Sequence, residues 1–255
     1  MKKILLMLLA VLLLAGCGQT APAENSITGE LLKDATIIVG TSPDYPPFEN
    51  LSTTGELEGF DIDVMNALVK IINEDNDLDL TIEWKQLDFN SIIGSLQTNQ
   101  IDVGISAFSY SEERDVFFST SYLASSQVVL VKVDSDIADL ADLEGKKIGV
   151  QSGSTGEDAA QNIKDSSITS LDDANLLVAQ LQTNTFDAIV LDGAVASEHI
   201  ANSDLVQLSE VLVNEDLGVI ANHGKDNLAA ALNAAIEKFI ATDEYQELLV
   251  KWELN

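Results

Sequence analysis

The stretch Asp88-Phe-Asn-Ser-Ile-Ile-Gly-Ser-Leu-Gln-Thr-Asn-Gln-Ile-Asp102 recurs without a gap as Asp173-Ala-Asn-Leu-Leu-Val-Ala-Gln-Leu-Gln-Thr-Asn-Thr-Phe-Asp187. Seven of the fifteen aligned positions are identical, including Leu-Gln-Thr-Asn and the closing aspartate. Each copy has a helical pattern followed by an apolar strand, at 101–105 and 186–191. The period is too long for a solenoid and favours two lobes that share a helix, a turn and a buried strand. The alternative is chance recurrence of a common helix-end motif.

Segments outside the repeat alternate between strand and helix patterns. The predicted strands are 36–40, 80–84, 128–133 and 147–151. The predicted helices are 61–72, with Asp61 as a plausible N-cap, and two within 227–252 that separate near Thr242. This alternation predicts an α/β fold with mainly parallel sheets covered by helices on both faces. Because such sheets bind ligands at the carboxyl ends of their strands, candidate site residues are sought there.

The N-terminal residues have the pattern of a leader. Lys2 and Lys3 precede an uncharged apolar stretch at 4–14, too short to span a bilayer and typical of a signal-peptide core. Small residues then precede Cys17, the only cysteine, as in the bacterial lipobox. We therefore expect a signal peptide at 1–16, and a lipidated Cys17 with a flexible tether at 17–33. The alternatives are an ordinary signal sequence with an incidental cysteine, or a core segment.

The composition excludes several classes of function. Lys and Arg total 13 against 42 Asp and Glu, for a formal net charge of −29, which disfavours nucleic acids and anionic lipid headgroups as partners. One cysteine and two histidines provide neither a disulfide framework nor a His/Cys zinc site, so no metal or other cofactor is expected. The apolar content of 46% indicates a folded acidic protein.

Arg114 is the only arginine, and it lies just beyond a predicted strand end. A guanidinium binds a carboxylate in bidentate fashion, which a lysine cannot do. Ser109 offers a hydroxyl and a backbone N–H nearby, and Ala107 offers a carbonyl. The alternative is that Arg114 forms a local surface pair with Glu112, Glu113 or Asp115.

The second half of the chain offers two further candidates. The turn at 153–156 opens a helix whose N–H groups can hold an anionic group, or it is an ordinary turn capped by Ser154 or Thr155. Asp192 ends an apolar strand, where it could accept from an ammonium group, cap a helix, or be a structural acid at a sheet edge. Asp102 and Asp187 stand at strand starts and are assigned to turns.

An extended loop near the N-terminus carries two aromatic residues. Three of the four prolines lie at 43–47, beside Tyr45 and Phe48. Aromatic rings beside a cleft suit stacking on a small ligand, whereas buried rings belong to the core. We expect Phe48 in the core and Tyr45 as the exposed wall.

These segments together resemble the solute-binding proteins of polar amino acid ABC transporters, the bacterial extracellular solute-binding protein family 3, in lipoprotein form. The resemblance covers 36–252 in one order. It rests on Pro43-Asp-Tyr-Pro-Pro-Phe-Glu49, Gly59-Phe-Asp-Ile-Asp63, Ser109-Tyr-Ser-Glu-Glu-Arg114 with Phe118-Ser119, Leu143-Glu-Gly-Lys-Lys-Ile-Gly-Val-Gln-Ser-Gly-Ser-Thr155, Asp187-Ala-Ile-Val-Leu-Asp192, and the closing run from Leu232 to Trp252.

The resemblance implies a two-lobed periplasmic-binding-protein fold of type II that closes on a free amino acid. The implied ligand-binding residues are Ser42, Tyr45, Phe89, Ala107, Phe108, Ser109, Arg114, Gln151, Ser154, Thr155 and Asp192. Arg114 would bind the α-carboxylate and Asp192 the α-ammonium group, with Tyr45 and Phe89 on either side of the side chain. Ser42 stands where the family often has an aspartate, which weakens the case for a cationic ligand. Together with Gln151 it suggests a neutral polar ligand such as glutamine, with a cationic one second.

Two connections are expected to link the lobes, at about 126–133 and 218–222. Lobe 1 would comprise 34–125 and 219–255, and lobe 2 would comprise 126–218. By resemblance, the partners are a free amino acid, the ABC permease with its ATPase subunits, and the outer face of the cell membrane through Cys17, with the protein a monomer that has no catalytic activity. The alternatives are a ligand-sensing module, or an enzyme such as a dehydratase or the regulatory domain of a cell-wall enzyme.

Overall fold

Two five-stranded sheets organise the chain in the computed structural model, which describes residues 26–201 and 203–254. The strands are β1 Thr36–Thr41, β2 Asp44–Tyr45, β3 Glu49–Leu51, β4 Leu57–Glu58, β5 Thr81–Gln86, β6 Val103–Gly104, β7 Phe117–Phe118, β8 Leu123–Lys132, β9 Lys147–Gln151, β10 Ser167–Leu171, β11 Ala188–Asp192, β12 Leu205–Leu217 and β13 Ile220–Ala221. The helices are α1 Ile27–Glu30, α2 Phe60–Asn76, α3 Phe89–Gln97, α4 Thr155–Ala160, α5 Ala174–Gln182, α6 Gly193–Ile200, α7 Asp226–Phe239 and α8 Asp243–Lys251, with a 3₁₀ turn at Leu140–Leu143.

The two sheets have the same plan. Their strand orders are β5-β1-β6-β13-β7 and β10-β9-β11-β8-β12. In each, the first three strands are parallel and the fourth runs antiparallel to the third. The fold class is therefore α/β with two lobes, as predicted. The apolar face of α2 predicted from its spacing is buried at Ile62, Met65, Leu68 and Ile72.

The sequence repeat is also a structural repeat. Helices α3 and α5 have nine residues each, and each is followed by an asparagine with positive φ, 52° at Asn99 and 59° at Asn184. The aspartate that closes each copy accepts a backbone N–H from the start of the neighbouring strand. Asp102 binds the N–H of Ile38 at 2.9 Å, and Asp187 binds that of Lys147 at 2.8 Å.

The chain passes between the sheets twice, from β7 into β8 and from β12 into β13. The two passages are joined by backbone hydrogen bonds, from Ser119 N to the Val219 oxygen at 2.9 Å and from Tyr122 N to the Leu217 oxygen at 2.9 Å. Beyond them, β8 and β12 continue as an antiparallel ribbon into the second sheet. The lobes are thus connected by two adjacent segments. The residue boundaries given above for the lobes stay a prediction.

Two expectations about local structure are wrong. Asp61 does not cap its helix: α2 begins at Phe60 after Gly59, and the Asp61 side chain is fully buried. The tether predicted at 17–33 also extends too far, because α1 lies within it and packs against α7, where Glu30 accepts the N–H groups of Asn227 and Leu228.

Residues 1–25, with the predicted leader and Cys17, lie outside the described part of the chain. Within residues 26–201 and 203–254, no helix is both long and apolar enough to cross a membrane.

Candidate functional site

A small cavity of about 10 Å³ lies where the two sheets face each other, room for about one water molecule. Its lining residues are Tyr45, Phe89, Ser106, Ala107, Ser109, Arg114, Gln127, Gln151, Ser154 and Thr155. Most of the predicted ligand-binding residues therefore come together here, with contributions from both sheets. Ser106 and Gln127 line the cavity and were not predicted. A larger groove of about 520 Å³ lies elsewhere on the surface, and one of about 750 Å³ adjoins the cavity at Thr155, but neither includes Arg114.

Arg114 joins the two lobes across the cavity. Its guanidinium donates to the backbone oxygen of Ser109 at 2.8 Å and to that of Gly153, in the second lobe, at 3.0 Å. Burial lowers the pKa of Arg114, although the nearby negative charge of Glu215 opposes this. No ion pair joins Arg114 to a carboxylate in the described residues, so the local surface pair considered above does not form.

Two aromatic rings support the guanidinium. Phe89 and Phe108 stack with ring centroids 4.6 Å apart, and the Arg114 Cζ atom lies 5.7 Å from the centroid of the first and 5.3 Å from that of the second. Phe89 lines the cavity, whereas Phe108 is fully buried behind it. Cation–π contacts of this kind hold a guanidinium in place while leaving its remaining N–H groups free to donate.

Tyr45 is not the exposed wall that the sequence suggested. Its side chain is 7% exposed, because its hydroxyl reaches across the cleft and accepts the backbone N–H of Asp192 at 2.8 Å. Phe48 is fully buried, as expected. A loop residue can be buried by the other lobe, and the sequence of the loop alone carries no signal of that partner.

The Asp192 carboxylate lies next to the cavity without lining it. It caps α6 by accepting the N–H of Ala194 at 3.0 Å, and it accepts the hydroxyl of Ser125 at 2.5 Å. Burial raises its pKa to about 7, although these two hydrogen bonds favour the charged form. Asp192 therefore caps a helix, and it does so at the edge of the cleft, where a ligand could reach it.

Asp44 is the acidic group that sequence reasoning missed. It accepts from the Ser42 hydroxyl at 2.8 Å, and across the cleft from the Gln151 amide at 3.2 Å and the Ala174 N–H at 2.7 Å. The two residues predicted to recognise the end of the ligand side chain thus converge on one carboxylate. A serine at position 42 therefore does not remove negative charge from this end of the cleft. Desolvation raises the pKa of Asp44, opposed first by the Ala174 N–H.

A second acidic residue that was not predicted stands behind the opposite end of the cavity. Glu215, on β12, accepts the Ser109 hydroxyl at 2.6 Å and the Gln127 amide at 3.0 Å. A serine hydroxyl has one proton, so Ser109 Oγ faces its other neighbours as an acceptor. No motif around Glu215 marks it, because its importance comes from the pairing of β12 with β8.

The turn at the start of α4 uses its own groups. The Ser154 hydroxyl accepts the N–H of Glu157 at 3.1 Å, and the Glu157 carboxylate accepts the N–H of Gly153 at 2.7 Å. Two of the donors that the sequence offered to an anion are therefore occupied locally. Ser154 and Thr155 nevertheless line the cavity.

The described residues provide no group of side chains suited to a metal ion beside this arrangement. Among residues 26–201 and 203–254, no three His, Cys, Asp or Glu side chains are grouped so that they could hold an ion. What the cavity offers is one cation, several hydrogen-bond acceptors and two aromatic rings.

The known proteins that resemble this chain in sequence and in fold are solute-binding proteins. Residues 37–255 match the family "Bacterial extracellular solute-binding proteins, family 3". A probable histidine-binding protein of Campylobacter jejuni is 33% identical over 96% of this chain and 94% of its own length. An arginine-binding extracellular protein of Bacillus subtilis is 30% identical over 99% and 98%. Among solved structures, the substrate-binding protein of an amino acid ABC transporter is 34% identical, with a TM-score of 0.79 over 86% of this chain and all of that one.

Proposed function

This chain belongs to the bacterial extracellular solute-binding proteins of family 3, and we propose that it captures a free amino acid between its lobes and delivers it to an ABC import permease. The observation that carries the proposal is the environment of Arg114. The only guanidinium of a very acidic chain is held over two rings in the cleft, and its contacts within the protein are neutral carbonyl oxygens. Such a group can bind a carboxylate.

In this proposal the α-carboxylate and α-ammonium groups of the ligand lie at the Arg114 end of the cavity. Arg114 binds the α-carboxylate, and the α-ammonium group is accepted by Ser109 Oγ, the Ala107 carbonyl and the Asp192 carboxylate. A buried zwitterion needs both charges paired, because an unpaired charge there costs several kcal/mol. The Glu215 contact supports the acceptor role of Ser109, because it fixes the hydroxyl proton away from the cavity.

The ligand side chain then extends between Tyr45 and Phe89 towards Gln151 and Asp44. Asp44 favours a side chain that donates hydrogen bonds at its end, as the amide of glutamine or a cationic group does. We therefore keep glutamine and the cationic amino acids as the proposed ligands, and glutamate is disfavoured. The relatives named above for histidine and arginine support the same choice.

Binding of both lobes to one ligand favours their closed arrangement through differential affinity. In this proposal lobe 1 is 34–125 with 219–255, lobe 2 is 126–218, and the protein acts as a monomer without catalysis. Lipidation of Cys17 would hold it at the outer face of the cell membrane. Mass spectrometry of the mature N-terminus tests the anchor, and a Cys17→Ser variant that stayed fully membrane-bound would contradict it.

Calorimetric titration tests the proposed function. Protein unfolded and refolded to remove ligand should bind glutamine or a cationic amino acid with a Kd far below 1 mM, which corresponds to about −4 kcal/mol. Arg114→Ala should abolish binding whatever the side chain, whereas Lys164→Ala, which removes an exposed cation of the second lobe, should leave the Kd unchanged. Failure of the wild-type protein to bind any of the twenty amino acids would refute the proposal.

A further inference from the structure

Two carboxyl groups are completely buried behind the first-lobe wall of the cavity. Glu49 begins β3 and Asp61 lies in the first turn of α2, and both are 0% exposed. Neither forms an ion pair with any residue in the described part of the chain. Two adjacent buried carboxylates without a cation would repel each other strongly, so the pair must keep a proton.

The hydrogen bonds show which group holds that proton. Asp61 accepts the N–H of Ala107 at 2.7 Å on Oδ2 and the hydroxyl of Tyr122 at 2.8 Å on Oδ1. Glu49 accepts the hydroxyl of Ser106 at 2.7 Å on Oε1, while no donor group in the described residues reaches Oε2. The two side chains are neighbours, because they bind the consecutive residues Ser106 and Ala107, and the Asp61 N–H donates to the carbonyl of Phe48, the residue before Glu49, at 2.9 Å. A proton on Glu49, donated to Asp61, satisfies both groups.

The surroundings provide no cation to replace that proton. The groups that face the pair are Tyr122, which precedes β8 and is held by the Tyr245 hydroxyl of α8, and the negative charges of Asp44 and Asp192. Burial, together with the charge of Asp61, holds the pKa of Glu49 well above its usual range. Burial also raises the pKa of Asp61 to about 6.

The contacts of the pair end on the ligand cavity. Ser106 and Ala107 both line it, and Ala107 has a φ of 45°, a left-handed backbone conformation that is strained for a residue with a Cβ. Its N–H is held by Asp61, and Ser106 is held between Glu49 and the N–H of Ser42, at 3.1 Å. The position of the Ala107 carbonyl therefore depends on the pair.

We propose that Glu49 and Asp61 share one proton and act as positioning residues, holding the Ser106–Ala107 wall in the conformation that binds the ligand. This inference rests on the proposed amino acid function. Loss of the shared proton places two negative charges behind that wall and weakens binding at alkaline pH. In Glu49→Gln the amide donates to Asp61 permanently and its oxygen accepts from Ser106, so the variant reproduces the protonated glutamate.

Infrared spectroscopy tests the proton directly. At about pH 8 the wild-type protein should show the C=O stretch of a protonated carboxyl group, and Glu49→Gln should lack that band. Glu58→Gln removes an exposed acid on β4, the strand that pairs with β3, and should retain it. A wild-type spectrum without the band, or an unchanged band in Glu49→Gln, would overturn the shared proton.

Ligand titration tests the positioning role. We expect Glu49→Gln to bind like the wild type at neutral pH and to keep its affinity where the wild type weakens, while Glu49→Ala binds about tenfold more weakly. Wild-type affinity in Glu49→Ala would overturn the role. A wild-type protein that binds no amino acid refutes the proposed function instead. The infrared band and the amide proton shift of Ala107 in Asp61→Asn then still test the shared proton, because neither measurement needs a ligand.

Discussion

In the first lobe the repeated unit of α3 and β6 leads to Ala107, and in the second lobe the unit of α5 and β11 leads to Asp192 at the equivalent position. Both positions border the cleft, one with a strained backbone and the other with a buried carboxylate. Ser42 and Gln151 are likewise equivalent, each lying beside Asp44 at the carboxyl end of the second strand of its sheet. The copies therefore differ at the positions where they reach the cavity.

Away from the cavity the copies keep the same packing. A Cβ atom on Gly40 would lie 2.6 Å from the Ile101 side chain, and one on Gly149 would lie 2.5 Å from the Phe186 side chain. These pairs occupy equivalent positions in the two lobes, and in each the residue that follows the helix and turn packs closely on the strand glycine. The comparison teaches that repeated sequence marks what holds each lobe together, and that divergence marks the ligand site.

The largest effect is expected from the pH dependence of Asp192, because its counterpart Ala107 cannot ionise. A folded pKa of about 7, raised by burial, means that the folded state holds a proton that the unfolded chain releases near pH 4. Stability is therefore lost as the pH rises from about 4 to about 7, by up to about 4 kcal/mol. Denaturant titrations should show a shallower decline in Asp192→Asn. An identical slope would contradict this assignment.

The second-largest effect concerns the aspartates that close the two copies of the repeat, Asp102 and Asp187, which should contribute differently to stability. Asp102 is fully buried and also accepts the N–H of Leu32 and faces Lys225 at 3.7 Å, whereas Asp187 is exposed. Asp102→Ala leaves the buried N–H of Ile38, the part-buried N–H of Leu32 and an ammonium unpaired, and should cost about 3 kcal/mol of unfolding free energy. Asp187→Ala should cost about 1 kcal/mol. Equal losses in chemical denaturation would show that burial does not separate the two copies.

The two strand glycines should behave alike. Gly40→Ala and Gly149→Ala each force a methyl group against an apolar side chain, and overpacking of this kind costs about 2 kcal/mol. Thermal unfolding should show similar decreases in Tm for both. If only one of the two variants lowered the Tm, the equivalence of the two copies would not extend to their packing.

The smallest effect concerns the helix starts. In the second copy the N–H of Ala174 is bound by Asp44 of the first lobe, a contact that crosses the cleft. Asp44→Asn should weaken ligand binding about fivefold, because a helix-cap contact is worth about 1 kcal/mol. Asp88→Asn, at the start of α3 where the side chain makes no cap bond, is the matched control and should not change the Kd. Equal effects on the two affinities would argue against the cross-lobe contact.

The sequence predicted local structure well because periodicity reports it directly. Strand β9 is predicted at 147–151 and is found there, and the sequence repeat predicts helices where α3 and α5 lie. It misplaced Asp61, since a polar residue at a helix start looks like a cap whether it faces solvent or the core.

The candidate site was predicted only where a residue type is unusual by itself. Arg114 stood out because it is unique, whereas Asp44 and Glu215 are two among 42 acidic residues. Their surroundings come from contacts across the lobes, to Ala174 and to Ser109, between residues more than a hundred positions apart. Such partners cannot be read from local pattern, so a carboxylate in a cleft and one on the surface look the same.

The paired passages between the sheets have a mechanical consequence. Two adjacent strands joined by hydrogen bonds resist sliding past one another. The lobes therefore move most easily by rotation about an axis through these two strands. Displacement in a rotation grows with distance from its axis. Ser109 is bridged to Leu217 beside that axis, so such a rotation would displace it little, and would displace the contacts of Asp44 with Ala174 and of Asn90 with Asp172 more. A pair of spectroscopic labels placed across those contacts would therefore report opening with the greatest leverage.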